Sequence, residues 1–366
     1  MYSAQQLLRL LGLRYLAFDE TLLPSIAPDS LPVVDMQFSP TLDYRQIYSW
    51  GVASNKTQLR YFHGNTGNYA NPPGSVHTSY KLFPGTRPKC VSGNGCPPTE
   101  LFKSHPEWWW PRDKPTAYGQ LCWSNASMVS YITERAAAML SAQPGAKIIS
   151  ISQNDNDVYC QSPAELAIIK EEGSPMGPLL RAVNAIAKAL APRFPDVAVD
   201  TLAYAYTLNA PRITKPEPNV IIRICVKGVN AAYPMTDRRN GNFSRTLRSW
   251  FNLTQRIYVW NYVADFGNYL QSFPDYFSLG PNIKYFADHG VRGLFEEGPG
   301  ISVGDGTDME ELKDYVMAEM MWDQTLDPDE LISEFLVGEY FRSHSSSSVL
   351  IPAGRPARPV CFSPPP

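Results

Sequence analysis

Apolar positions along this chain recur with two periods. Short β-branched and aromatic runs predict strands at 44–50 (YRQIYSW), 58–63 (QLRYFH), 118–123 (YGQLCW) and 147–152 (KIISIS). Four more follow at 197–204 (VAVDTLAY), 220–226 (VIIRICV), 256–260 (RIYVW) and 291–295 (VRGLF). Helical spacing fills the intervals at 126–140, 178–191, 245–251, 276–289 and 309–322. In the second of these Val183, Ile186, Ala187 and Leu190 fall on one face, and Pro195 ends the segment before the next strand. Eight strands alternating with helices over roughly 300 residues predict an α/β fold, a (β/α)8 TIM barrel. A doubly wound sheet is the competing arrangement, but no glycine-rich phosphate turn follows the first strand.

The flanks read differently. The opening MYSAQQLLRLLGLRYLAF predicts an amphipathic helix, with Ser3 as N-cap and Gly12 as terminator, running into a short strand. With the Pro-rich connector LLPSIAPDSLPVV it forms residues 1–35, ahead of a barrel at 36–342. Residues 64–114 show little periodicity and are rich in Gly, Pro, Asn and Trp, which predicts an elaborated substrate loop after the second strand. The Ser/Pro-rich stretch at 343–366 has little to bury and is expected to be disordered.

Composition narrows the classes. Lys and Arg number 32 against 35 Asp and Glu, so there is no basic excess for a phosphate backbone and no nucleic-acid partner is expected. No apolar run approaches the roughly 20 residues that cross a bilayer, so no membrane insertion is expected. Aromatic residues reach 12% of the chain, a surplus that suits a cleft stacking on sugar rings. Among six cysteines, Cys90 and Cys96 flank a small loop that a disulfide could close, whereas Cys122 and Cys225 sit in apolar runs and read as plain thiols. Four Asn-x-Ser/Thr sequons, at Asn55, Asn125, Asn242 and Asn252, lean toward a secretory route, although no signal peptide is visible.

In a barrel the reactive groups belong at the carboxyl ends of strands. Asn154, Asp155, Asn156 and Asp157 follow the fourth predicted strand, and Glu296 and Glu297 close the eighth. Trp260, Asn261 and Tyr262 end the seventh, Tyr204 and Tyr206 the fifth, and Arg223 lies within the sixth. Carboxylates on opposite sides of one mouth are what glycosidic cleavage requires: one protonates the leaving oxygen, another supports the oxocarbenium ion. Each residue also has a plainer reading. The NDND run can close a strand as an Asx-turn, the Glu pair can cap a helix, and Trp108–Trp110 can roof the barrel. A charged Arg223 inside a strand must enter the lumen or find a partner, which makes it a structural or a substrate-binding cation. Neither HxH nor HExxH occurs, so no metal and no cofactor is expected; no GxSxG elbow occurs either.

The order HTSYKLFP, SHPEWWW, QLCWSN, ISQNDND, TLAYAYT, PNVIIRIC, VWNY and GVRGLFEEG resembles the domain-of-unknown-function family numbered 4838, which overlaps glycoside hydrolase family 163. The resemblance runs from Leu8 to Tyr340. It implies a TIM-barrel glycoside hydrolase related to β-hexosaminidases and α-glucuronidases, acting on N-acetylglucosaminyl linkages of glycans. It also implies a small α/β domain ahead of the barrel, of which Met1–Pro32 would be the last helix and strand. Carried over residue by residue, Asp155 and Glu297 are the catalytic acids, with Asn154 beside the first. Trp260, Tyr262, His77 and His105 match the family's aromatic and histidine positions. Trp109, Tyr204, Arg223 and Glu296 complete the expected substrate-binding set, and the expected partner is an oligosaccharide or glycan. A glycan-binding barrel without chemistry and an α-glucuronidase-like exo-hydrolase using Arg223 are the alternatives.

Overall fold

A computed structural model of the chain describes residues 2–16, 21–22, 35, 37–53, 62–87, 96–300 and 307–340. Its centre is a sheet of six parallel strands: β1 (Tyr44–Tyr48), β2 (Ile148–Ser150), β3 (Ala198–Ala203), β4 (Val220–Cys225), β5 (Ile257–Tyr262) and β6 (Val291–Glu297). The spatial order is β1-β6-β5-β4-β3-β2, so the first strand pairs with the last. An open doubly wound sheet would place its first strand inside and reverse direction there. The order here is that of a ring with a single gap, between β1 and β2.

Irregular backbone spans that gap. Asn65 bridges Arg45 of β1, exchanging both amide bonds at 2.9 and 3.0 Å. Tyr69 bridges Ile148 of β2 in parallel sense, and the Ala70 amide donates to the Ile148 carbonyl at 2.8 Å. The fold is therefore barrel-like among the described residues, with six regular strands rather than the eight expected. The strand expected at 58–63 lies mostly outside the described residues, and its last two positions, Phe62 and His63, form a turn. The strand expected at 118–123 is corrected. Only Gln120–Leu121 is extended, and it pairs antiparallel with Trp109–Trp110 outside the main sheet. Its apolar pattern reflects other constraints: Cys122 is disulfide-bonded to Cys160, and the Gln120 amide is spent on Asn154 and Asn156.

Helices cover the outer face: α2 (Ala126–Ser141), α3 (Pro163–Glu172), α4 (Met176–Leu190), α5 (Gly241–Phe251), α6 (Leu279–Asp288), α7 (Glu310–Trp322) and α8 (Pro328–Tyr340), after α1 (Tyr2–Leu10). Their ends follow local chemistry. Asn125 Oδ1 caps α2 by accepting from the Met128 amide at 3.0 Å, and Ser162-Pro163 opens α3, which Gly173 ends in a left-handed turn. The expected Ser3 cap is corrected, because α1 already includes Tyr2; Gly12, at φ +93°, does terminate it. Arg9 and Arg14 tie this N-terminal piece to Glu319 of α7 and Glu334 of α8.

β2, β3 and β4 are buried on both faces, which is why they read as near-continuous apolar runs. The outer face meets the helices. The inner face fills the lumen, starting from Tyr44, Ile148, Ala198, Ile221 and Tyr258 at its base. Gly293 belongs there for lack of a side chain, since a Cβ would stand 2.7 Å from the Tyr258 ring. The connector from Leu23 onward and the tail expected at 343–366 lie outside the described residues.

Candidate active site

Period-two alternation sends Ala198, Asp200 and Leu202 of β3 inward, with Ile221, Arg223 and Cys225 of β4 beside them. Tyr258, Trp260 and Tyr262 of β5, and Phe295 and Glu297 of β6, complete the inner face. Above the apolar base sits a charged layer. Arg223, 1% exposed, pairs with Asp200 at 3.2 Å and lies 4.9–5.9 Å from the rings of Tyr44, Tyr69, Tyr258 and Trp260. The Tyr69 hydroxyl donates to Asp200 at 2.8 Å. This cation is boxed in by aromatic faces and one carboxylate, and it closes the floor of what lies above.

At the carboxyl ends of the strands a cavity of about 260 Å³ opens, lined by His77, Asp155, Leu202, Tyr204, Cys225, Trp260, Tyr262, Phe266 and Glu297. Its two carboxylates stand in different surroundings. The Asp155 side chain is 51% exposed and accepts a hydrogen bond from the Tyr204 hydroxyl at 2.8 Å. Glu297 is more enclosed, and the Trp260 indole donates to its Oε2 at 2.7 Å. Burial pushes the Glu297 carboxyl above the usual range; the indole bond opposes this and the charge of Asp155 reinforces it. Burial likewise keeps the Tyr204 and Tyr262 hydroxyls protonated, raising both well above an ordinary tyrosine. His77 Nε2 stands 4.0 Å from Asp155, while its Nδ1 bonds the Gln153 carbonyl at 2.9 Å. Burial lowers the His77 pKa.

The Asp155 loop is rigidly built. Asn154 is wholly buried: its Nδ2 donates to the Gly119 carbonyl at 2.8 Å, its Oδ1 accepts from Ser79 at 2.5 Å, and its backbone pairs with the Gln120 amide at 2.9 and 3.0 Å. Asn156 Oδ1 accepts from the Val158 amide at 3.0 Å, an Asx-turn. The asparagines fold the turn, and the turn places Asp155 on the cavity. The Cys122–Cys160 disulfide anchors the far side of this loop, which corrects the reading of Cys122 as a plain thiol; Cys225 is indeed a buried free thiol. Apolar surroundings suit a disulfide as well as a thiol, so the run around Cys122 could not tell them apart. Cys96 is also disulfide-bonded, and Cys90 lies outside the described residues.

Of the residues singled out in the sequence, the fold brings Asp155, Glu297, His77, Tyr204, Trp260 and Tyr262 together. It separates the others. Glu296 faces the helices, fully buried, with Asn261 Nδ2 donating to its Oε2 at 2.8 Å. Trp109 is packed against Tyr80, Phe83 and Phe102 under the hairpin, and His105 stacks on Trp108 at 4.0 Å. Asn154 and Arg223 lie behind and beneath the cavity. Leu202, Cys225 and Phe266 line it without having been singled out. For Leu202 and Cys225 the signal was available, since each lies two residues beyond a lumen-facing charge on its strand. Among the described residues no group of three or more His, Cys, Asp or Glu is arranged to hold a metal, and no helix is long and apolar enough to cross a membrane.

Solved structures similar to this chain include a Bacteroidetes-affiliated GH5 cellulase linked with a polysaccharide utilization locus. It is 11% identical, with a TM-score of 0.35 over 58% of this chain and 66% of that one. A GH5-4 broad specificity endoglucanase from Bacteroides salanitronis aligns at 11% identity and TM-score 0.35 over 60% and 65%. A β-N-acetylhexosaminidase from Bacteroides fragilis NCTC 9343 aligns at 13% and 0.36 over 62% and 46%. This chain thus spans less than two thirds of the length of each of these structures. No curated protein matches the sequence. Residues 15–346 match the family described as Domain of unknown function (DUF4838), and the chain belongs to that family.

Proposed function

We propose that this chain is a glycoside hydrolase of the β-N-acetylglucosaminidase type, acting on glycans at the cavity above β3–β6. The observation that carries this reading is the pair Asp155 and Glu297 on one cavity, one solvated and one shielded. A carboxyl shielded from water holds its proton more tightly and can deliver it to a leaving oxygen. In the mechanism, Glu297 gives its proton to the glycosidic oxygen as the bond to the anomeric carbon breaks. The acetamido oxygen of the same sugar closes on that carbon from the other face, and Asp155, held by Tyr204, accepts the acetamido N–H and balances the charge that develops there. Water then attacks the anomeric carbon and displaces the acetamido oxygen, which restores the acetamide, and the water's proton passes to the Glu297 carboxylate. Trp260 and Tyr262 offer ring faces to the sugar.

The uronic-acid alternative rested on Arg223, which is sealed under the floor and bonded to Asp200; that favours the acetamido reading. The Cys122–Cys160 disulfide and the exposed sequon residues Asn242 and Asn252 support a secretory, oxidising setting. The test is release of aryl β-N-acetylglucosaminide, aryl glucuronide and a complex N-glycan by the purified chain and by Asp155→Asn and Glu297→Gln. Release of the acetamido sugars that drops at least about a thousandfold in both variants is expected. Saturable glycan binding with no product would replace the hydrolase by a glycan-binding barrel.

A further inference from the structure

We propose that His77 is held as an imidazole protonated on Nδ1, so that its Nε2 accepts a hydrogen bond from an N–H or O–H of the sugar seated against Asp155. This rests on the glycoside reading above and adds a recognition element to it. The Nδ1 partner is the Gln153 carbonyl at 2.9 Å, and a carbonyl can only accept, so Nδ1 must carry the proton. A neutral ring then presents a lone pair at Nε2. That lone pair faces Asp155 Oδ1 at 4.0 Å, beyond hydrogen-bond reach, and both atoms are acceptors. The space between them is matched by a group that donates. The Tyr204 hydroxyl already donates to Oδ1 from its own side, so the ligand must fill the His77 side.

The ring is not free to adapt. His77 sits at φ +48°, a left-handed conformation a non-glycine residue rarely keeps unless its surroundings enforce it. Thr78 Oγ1 donates to the Ser150 carbonyl at 2.8 Å and the Ser79 amide to the Ser152 carbonyl at 2.9 Å, stitching the segment to the end of β2. Gln153, wholly buried, also sets the opposite wall: its Nε2 donates to Thr207 Oγ1 at 2.6 Å and to the Tyr204 carbonyl at 3.2 Å. One residue thereby positions both side chains that flank Asp155. Burial, the largest influence, lowers the His77 pKa and so favours the neutral ring; the Gln153 carbonyl and the charge of Asp155 oppose it, and Lys81 acts with it.

The experiment is 15N NMR of the histidine-labelled wild-type chain at neutral pH, with the His77 signals identified by their absence in His77→Gln. The Nδ1-protonated tautomer is expected in the free protein, and an Nε2-protonated ring overturns the proposal. N-acetylglucosamine, its O-methylated derivative (N–H but no hydroxyl) and glucose (hydroxyls but no N–H) are then titrated, with the Trp260 indole resonance reporting occupancy. Movement of Nε2 with the first and only one of the others supports the proposal and names the donor. A Trp260 resonance that moves while Nε2 does not overturns this inference alone. If neither moves at saturating sugar, the glycoside reading falls with it. Kinetically, His77→Phe should raise KM about tenfold or more with a smaller change in kcat, and His77→Gln, which keeps an acceptor, should recover part of that loss in KM.

Discussion

Glu296 and Glu297 are consecutive on β6, yet they inhabit opposite sides of the sheet. Glu296 turns toward the helices, fully buried, with Asn261 on one oxygen; burial pushes its pKa up to about 7. Glu297 turns into the lumen, bonded by the Trp260 indole and sharing a cavity with Asp155. Their nearest protein donors come from adjacent positions of β5, Asn261 and Trp260, which alternate in the same way. Both acids have raised pKa values for the same main reason, burial. Only Glu297 lines the cavity, which it shares with Asp155, whereas the carboxylate near Glu296 is the buried Asp275. A shifted pKa alone therefore does not tell the two apart; the face of the strand does.

Substitution at the two positions should separate the faces most sharply. Glu297→Gln is expected to cut turnover at least about a thousandfold, about 4 kcal/mol in the barrier, with the melting temperature little changed. Glu296→Gln should leave turnover within a few-fold. Equal losses of turnover in both would erase the distinction. With Glu297 as the acid, the rate should also fall as pH rises through its raised pKa, so the alkaline limb lies above that of an ordinary glutamic acid, and Glu297→Gln should abolish the limb.

The lumen makes its own demand deeper down. Arg223→Met leaves Asp200 buried without its cation and should cost about 3–5 kcal/mol in denaturant unfolding. Adding Asp200→Leu should restore much of that loss, and an additive double variant would show that the pair is not coupled. Replacing both Cys122 and Cys160 by alanine releases the far side of the Asp155 loop and should cost about 2–4 kcal/mol; no loss of stability would mean the loop is held without it.

The smallest effect expected is on the outer face. A carboxyl whose folded pKa is raised binds more protons when folded than when unfolded, so stability falls as pH rises from about 4.5 toward about 7. Glu296→Gln mimics the neutral acid and should flatten that slope, gaining about 1–3 kcal/mol at alkaline pH. Urea unfolding at acid and alkaline pH measures it, and an unchanged slope would place the titration elsewhere.

The six sheet strands and the helices α2 and α4–α7 were legible from period and composition, because burial on two faces leaves a continuous apolar run and burial on one leaves a helical stripe. The residues at strand ends were legible for the same reason: alternation carries them to the mouth. Less was legible in 62–123. There backbone groups are satisfied by single bridges and side-chain amides, as at Asn65, Tyr69 and Gln120, and such pairings have no period. Trp109 and His105 looked like cleft residues because they lie in the loop that follows the second predicted strand. The hairpin with Gln120–Leu121 instead folds Trp109 into its own aromatic cluster.

The sequence by itself determined the six strands of the sheet, the helices α2 and α4–α7, and which charged residues stand at strand ends, since these depend on neighbours within a few positions. Only the tertiary structure decided that β1 pairs with β6, that Cys122 meets Cys160, that Arg223 is buried against Asp200, and that Glu297 and not Glu296 shares a cavity with Asp155. Those outcomes depend on groups far apart in the chain, and on a half-turn of the strand that places one glutamate in the lumen and its neighbour behind the sheet.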